Sequence, residues 1–184
     1  MNLRFIFFEN PRLLNFKSLV NVIAVFLPQA LTAQQPLFNL LSPSQTSVTF
    51  QNTITDEKDH NILMYSNYYG GAGVGVGDSN KDGLPDLFFA GNLVADEIYF
   101  NLGDLKFQKT NSEAGITDNG GWSSGVVVAD VNNDGWDDIY VTRELYDDQP
   151  ELRRNLLYIN TKQTFTLEDG KTGVKFEEQA AAYG

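Results

Sequence analysis

When the chain is slid by 52 residues, so that Asp78 falls on Asp130, two long stretches superimpose: GAGVGVGDSNKDGLPDLFF (71–89) lies over SSGVVVADVNNDGWDDIYV (123–141). Gly73 matches Gly125, Val74 matches Val126, Val76 matches Val128, and Leu87-Phe88 matches Ile139-Tyr140. The similarity runs on at looser spacing. IYFN (98–101) corresponds to LYIN (157–160), FQKTNSEAG (107–115) corresponds to FEEQAAAYG (176–184), and VTFQN (48–52) is read as the Phe-bearing segment once more. A period near 50 residues means stacked copies of one supersecondary unit, none of which buries its apolar face alone.

Each copy alternates with period two, and its short β-branched or aromatic runs are bounded by Gly, Asn and Asp, as strands of about five residues joined by tight turns require. The order is a strand, an acidic loop, a strand, a Tyr-bearing strand and a Phe-bearing strand. The expected fold is all-β, a partial β-propeller of four-stranded antiparallel blades, with about two complete blades over residues 34–184. EDGKTG (168–173) has the Asp-Gly chemistry of a hairpin turn and is expected to extend the second blade at its rim. Propellers close with four to eight blades, so further blades are expected in cis, and the chain reads as a truncated piece of a longer protein.

Residues 1–33 differ from the rest. Arg4, Arg12 and Lys17 precede the apolar run LVNVIAVFL (19–27), and LTA (31–33) supplies small residues for cleavage, which reads as an export signal. The run is too short to give a stable membrane span. The remainder keeps 10 of the 13 basic residues and 23 of the 24 acidic ones, a net charge of −13 that disfavours nucleic acid. The chain has no cysteine, which excludes disulfides and thiolate metal sites. The expected location is periplasmic, outer-membrane-associated or extracellular.

Seven of those acids crowd the two nonapeptides DSNKDGLPD (78–86) and DVNNDGWDD (130–138). Each places side-chain oxygens at positions 1, 3, 5 and 9, glycine at position 6 for a sharp reversal, and a backbone carbonyl at position 7. Hard oxygen donors at alternate positions suit calcium. The first candidate set is Asp78, Asn80, Asp82, the Leu84 carbonyl and Asp86, and the second is Asp130, Asn132, Asp134, the Trp136 carbonyl and Asp138. An EF-hand would need Glu at position 12 between helices. Position 12 here is Phe89 or Val141, and the flanks are strand-like. Solvated Asp-Asn-Gly turns are the competing reading.

These residues resemble the FG-GAP or VCBS repeats of integrin-α-type propellers, carried by large exported bacterial proteins, over about Phe38 to Gly184. The resemblance implies a seven-bladed propeller with calcium in hairpin loops of individual blades, and it assigns the two sets above to one Ca2+ ion each. Neither copy has a literal Phe-Gly before Gly-Ala-Pro, which places the chain nearer the VCBS branch. The expected function is binding or adhesion to an extracellular protein or a glycan, without catalysis by this chain. The alternative is part of a polysaccharide-degrading propeller enzyme whose catalytic residues lie mostly outside it.

Other candidates are weaker. His60, the one histidine, has no partner in sequence for a triad or a metal site, and Ser123 and Ser124 lack a base. GGAGVGVG (70–77) does not fit a dinucleotide loop and reads as small residues that let strands approach. Trp122, Trp136, Tyr68 and Tyr69 are core residues or a sugar-stacking surface. Glu144, Asp147, Asp148 and Glu151 fit a solvated loop better than a hydrolase pair.

Overall fold

The computed structural model describes residues 37–117 and 119–183. Two compact units divide the chain, Met1–Leu40 and Leu41–Gly184. Of the first, only residues 37–40 are described, so the export signal read over 1–33 lies outside the described residues. The strands and both acidic loops belong to the second unit.

Eight strands form two antiparallel sheets, each a simple meander. The first holds β1 (Val74–Gly77), β2 (Asp86–Phe89), β3 (Glu97–Gly103) and β4 (Lys106–Lys109); the second holds β5 (Trp122–Ala129), β6 (Asp138–Glu144), β7 (Leu156–Thr166) and β8 (Thr172–Glu178). Val76 pairs with Leu87 across the first acidic hairpin, and Val128 pairs with Ile139 across the second, so the 52-residue register survives into the hydrogen-bonded ladder. The all-β expectation with four-stranded antiparallel sheets is met.

The alternation of the strands sorts their side chains. Phe88, Ile98 and Phe100 from the first sheet and Ile139, Val141, Leu156, Tyr158, Val174 and Phe176 from the second share one buried cluster, so the sheets stack face to face. The glycines of β1 permit that approach. A Cβ on Gly75 would lie 2.8 Å from Val128 Cγ2, and one on Gly77 would lie 2.4 Å from Val128 Cγ1. That contact accounts for GGAGVGVG without a nucleotide.

Short helices reveal a repeat that the sequence pattern places wrongly. Helix α1 (Pro43–Thr46) ends in left-handed Ser47 (φ 64°), and α2 (Asn111–Ala114) ends in left-handed Gly115 (φ 75°). After α1, the Thr49 N–H donates to Tyr99 Oη at 3.3 Å; after α2, Tyr158 Oη donates to the Thr117 carbonyl at 3.1 Å. Val48 and Thr49 therefore correspond to Ile116 and Thr117, and VTFQN is not a third Phe-bearing strand: residues 48–52 belong to no strand. The misleading signal was Phe50, which stacks on Phe89 with ring centroids 4.9 Å apart. Helix α3 (Pro150–Arg153) lies between β6 and β7, and α4 (Ala180–Tyr183) follows β8 where α2 follows β4.

The EDGKTG hairpin forms, with Gly170 at φ 84°. It reaches back over the first sheet rather than standing free at a rim. Phe165 packs edge-on against Phe100, the Glu168 N–H donates to Gln108 Oε1 at 2.8 Å, and Lys171 Nζ donates to the Leu102 carbonyl at 2.6 Å.

Candidate functional site

The two acidic loops carry the same internal network, bond for bond. In the first, Asp78 Oδ1 accepts from Asp82 N–H (3.0 Å) and Asp78 Oδ2 from Gly83 N–H (2.9 Å). Asn80 Oδ1 also accepts from Asp82 N–H (3.2 Å), and Asp82 Oδ1 accepts from Leu84 N–H (2.9 Å). In the second, Asp130 accepts from Asp134 N–H (3.0 Å) and Gly135 N–H (2.7 Å), Asn132 Oδ1 accepts from Asp134 N–H (3.0 Å), and Asp134 Oδ1 accepts from Trp136 N–H (2.9 Å). These Asx-type bonds explain why Asp and Asn recur at positions 1, 3 and 5: short polar side chains fold back on the backbone two to five residues on. Position 6 needs glycine because the backbone there is left-handed, with φ 86° at Gly83 and 85° at Gly135.

Position 9 has a role that spacing did not reveal. Asp86 and Asp138 are buried, and each ties the start of its loop to the third strand of its sheet. Asp86 accepts from Ser79 N–H (3.1 Å) and Asn101 N–H (2.9 Å), and Asp138 accepts from Val131 N–H (3.1 Å) and Asn160 N–H (2.8 Å). Burial pushes Asp86 up to about 7, against the two N–H bonds that favour its charged form, with Asp82 and Asp78 adding to the rise. Asp138 is raised for the same first reason.

The donors at positions 1, 3 and 5 are drawn together by shared N–H groups, and Asp134 Oδ2 also lies 3.0 Å from Lys162 Nζ. The chemistry of the set, four hard side-chain oxygens per loop and no nitrogen or sulfur, fits a hard cation. Among the described residues, no three carboxylate or imidazole groups are already gathered as one metal-binding cluster.

The first loop is clasped by the second sheet. Asn160 Nδ2 donates to the Ser79 carbonyl (3.0 Å), Asn80 Nδ2 donates to the Thr172 carbonyl (2.8 Å), and Lys81 Nζ lies 4.6 Å from the Trp136 ring centroid. Near the other end of the strands a buried polar group also joins the sheets: Asp96 accepts from Gly91 N–H (2.8 Å) and Ser123 Oγ (3.1 Å), and Asn92 Nδ2 donates to the Ser123 carbonyl (2.9 Å). Ser123 is thus a structural residue. Asp96 and Asn92 sit in an unrepeated turn, where no pattern marked them.

That same end holds a cleft of about 440 Å³ between residues 59–65 and the β6–β7 connection, lined in part by His60, Tyr65, Glu144, Tyr146 and Asp148. Tyr65 Oη donates to Glu144, Asp147 pairs with Arg153, and His60 packs edge-on against Tyr146. Glu151 pairs instead with Arg154 at 3.6 Å. Trp122 and Tyr68 are fully buried against each other, Tyr69 is exposed, and Trp136 is half-buried in the second loop, so the four aromatics do not make one stacking surface.

Acidic hairpins thus join the first two strands of each of two stacked four-stranded sheets. An FG-GAP-like repeat is found at residues 78–141, from the first residue of the first acidic loop to β6 just beyond the second. That repeat and the sheet topology suggest a β-propeller-type module. No curated protein matches the chain. No helix among the described residues is long and apolar enough to cross a membrane.

Proposed function

We propose that this chain is a calcium-stabilised β-propeller segment of an exported protein of the VCBS type, a binding or adhesion module without catalytic activity of its own. The observation that carries the reading is the twinned network of the two loops. Identical bonds hold donors of one hard type at identical positions on two sheets, beyond what two unrelated solvated turns require. Asp78, Asn80, Asp82, Asp86 and the Leu84 carbonyl would hold one ion, and Asp130, Asn132, Asp134, Asp138 and the Trp136 carbonyl the other. Bound calcium supplies positive charge that offsets the mutual repulsion of the carboxylates, so its binding adds to folding stability.

The further blades expected in cis have support in the packing. Val126 and Val128 are covered by the glycine face of β1, whereas the equivalent Val74 and Val76 are exposed. Val127, the counterpart of Gly75, is exposed on the opposite side. Each outer face thus repeats one half of the interface between the two sheets. The cleft beside Tyr65 and Glu144 is the place for an extracellular protein or a glycan, and its carboxylates are also where a polysaccharide-degrading activity would reside.

Thermal melts of the full chain in millimolar calcium, in magnesium and in chelator test the reading. A midpoint raised by many degrees in calcium and much less in magnesium is expected; superimposed curves would leave the loops as solvated turns. Hydrolysis of a glycan panel, lost in Glu144→Gln but kept in Asp130→Ala at saturating calcium, would replace the binding role with the enzymatic one.

A further inference from the structure

The twinned loops differ at one position that the repeat makes easy to compare. Asn101 and Asn160 are equivalent, since each donates its N–H to the position-9 aspartate and each accepts a hydrogen bond from the N–H two residues on. Those next residues are Gly103, with φ 93°, and Lys162, with φ 62°. A left-handed backbone favours glycine, which the first sheet uses. The second sheet holds a lysine in the same strained conformation, and its Nζ lies 3.0 Å from Asp134 Oδ2. Asp134 Oδ1 already accepts from Trp136 N–H, so both oxygens of this position-5 carboxylate are engaged. In the first loop, Asp82 Oδ1 accepts from Leu84 N–H, and among the described residues no ion pair involves Asp78, Asp82 or Asp86. A second ammonium, that of Lys81, sits over Trp136 beside the second loop.

We propose that Lys162 is a resident cation of the second loop, which a divalent ion must displace from Asp134, so that the two loops fill in order, the first before the second. The inference rests on the calcium reading above. An ammonium and a calcium ion cannot share one carboxylate oxygen without repulsion. Lys162 is exposed enough to swing away, so it weakens the second site rather than abolishing it. Among the described residues the first loop meets no such competitor, and it is held by the second sheet through Asn80 and Ser79. Graded occupancy follows: the first loop and its contacts are pinned at low calcium, the second only at higher calcium.

The test is calorimetric titration of the full chain with calcium chloride in single-loop backgrounds, Asp82→Ala leaving the second loop and Asp134→Ala leaving the first. The second loop is expected to bind more weakly than the first. Lys162→Gly, which installs the residue its twin carries and relieves the left-handed strain, should tighten the second loop about two- to fivefold, the range that an exposed ion pair supports. Lys162→Arg should leave it unchanged. Equal affinities of the two loops, or a Lys162→Gly protein indistinguishable from its background, would overturn the ordering while calcium binding stands. If neither background takes up calcium, although near-ultraviolet circular dichroism shows both folded, the calcium reading falls and the ordering with it. Should Asp82→Ala fail to fold, a two-site titration of Lys162→Gly beside the unmutated chain decides the same question: the two binding steps must draw together, and an unchanged separation would overturn the ordering.

Discussion

The two ends of these strands are built on opposite plans. At the acidic end the first hairpins of the two sheets are copies: positions 1, 3, 5, 6 and 9 of each make the same bonds. At the other end the short helices α1, α2 and α4 recur, but the connections between strands are not copied. Residues 47–73 connect α1 to β1 where only 115–121 connect α2 to β5, and the β6–β7 connection contains α3 where the β2–β3 connection contains no helix. The long connection carries Tyr65 and Tyr68 onto Trp122, and Leu145 and Tyr146 are consecutive left-handed residues at the cleft, with φ 59° and 48°. A copied feature is one whose backbone geometry both sheets need. An uncopied one that retains strain is where a sheet acquires a property of its own.

The largest effect expected from breaking this contrast lies at the uncopied end. Trp122 is fully buried between Tyr65 and Tyr68, so Trp122→Ala should cost about 3–5 kcal/mol in chemical denaturation. The loss should be the same in calcium and in chelator, because the residue touches neither acidic loop. A calcium-dependent loss would show that the two ends are coupled and the contrast misdrawn.

The acidic end should instead respond to pH. Asp86 has an ordinary value of 3.8 and is raised to about 7 in the fold, so the folded state holds this proton more tightly than the unfolded chain does. The stability it contributes is full below pH 4 and is lost as the pH rises through 7, on the order of a few kcal/mol. Denaturation in chelator should show stability falling from pH 4 to pH 7, and calcium, by favouring the carboxylate, should flatten that slope. Asp86→Ala should remove most of the slope. A slope of the same size in that variant would assign the titration to another group.

How much of this was legible differs by end for the same physical reason. Repetition exposed the hairpins, their glycines and the candidate ligands, because two copies in one register separate constraint from accident. It also placed the strands in their order around each acidic hairpin, while the pairing of Val76 with Leu87 came from the structure. Repetition misled at VTFQN, where a shared Phe outweighed the helix and left-handed turn that the structure aligns. It was silent on Asp96, Asn92 and the cleft, whose partners are far apart in sequence and occur once. Position 9 was legible as an acid but not as a buried clamp, because spacing shows which residues alternate and not which N–H groups they reach.

Within the acidic end, the clamp and the rim should separate next. Asp138→Ala leaves Val131 N–H and the buried Asn160 N–H without their carboxylate and should cost about 2 kcal/mol even in chelator. Asp130→Ala frees N–H groups of the exposed residues Asp134 and Gly135, which water can reach, and should cost less than about 1 kcal/mol there. Equal costs in chelator would mean that position 9 is no more structural than position 1.

The smallest effect is the sharpest on ligand assignment. Asp134 and Asp137 stand three residues apart in the second loop, yet only Asp134 stands at one of the alternate positions of the candidate ligand set. Burial works against its charge, but Lys162 and the Trp136 N–H hold its carboxyl below the usual value. Asp137→Ala should change stability by less than about 0.5 kcal/mol in either condition, as expected for a surface substitution away from a buried network. Asp134→Ala should match it in chelator, where only an exposed lysine pair and one loop hydrogen bond from Trp136 N–H are lost, and fall behind only as calcium is added. Divergence in calcium alone would identify position 5 as a ligand and position 8 as none. Parallel behaviour in both conditions would mean that the alternating register of the nonapeptide is a property of turns and not of an ion.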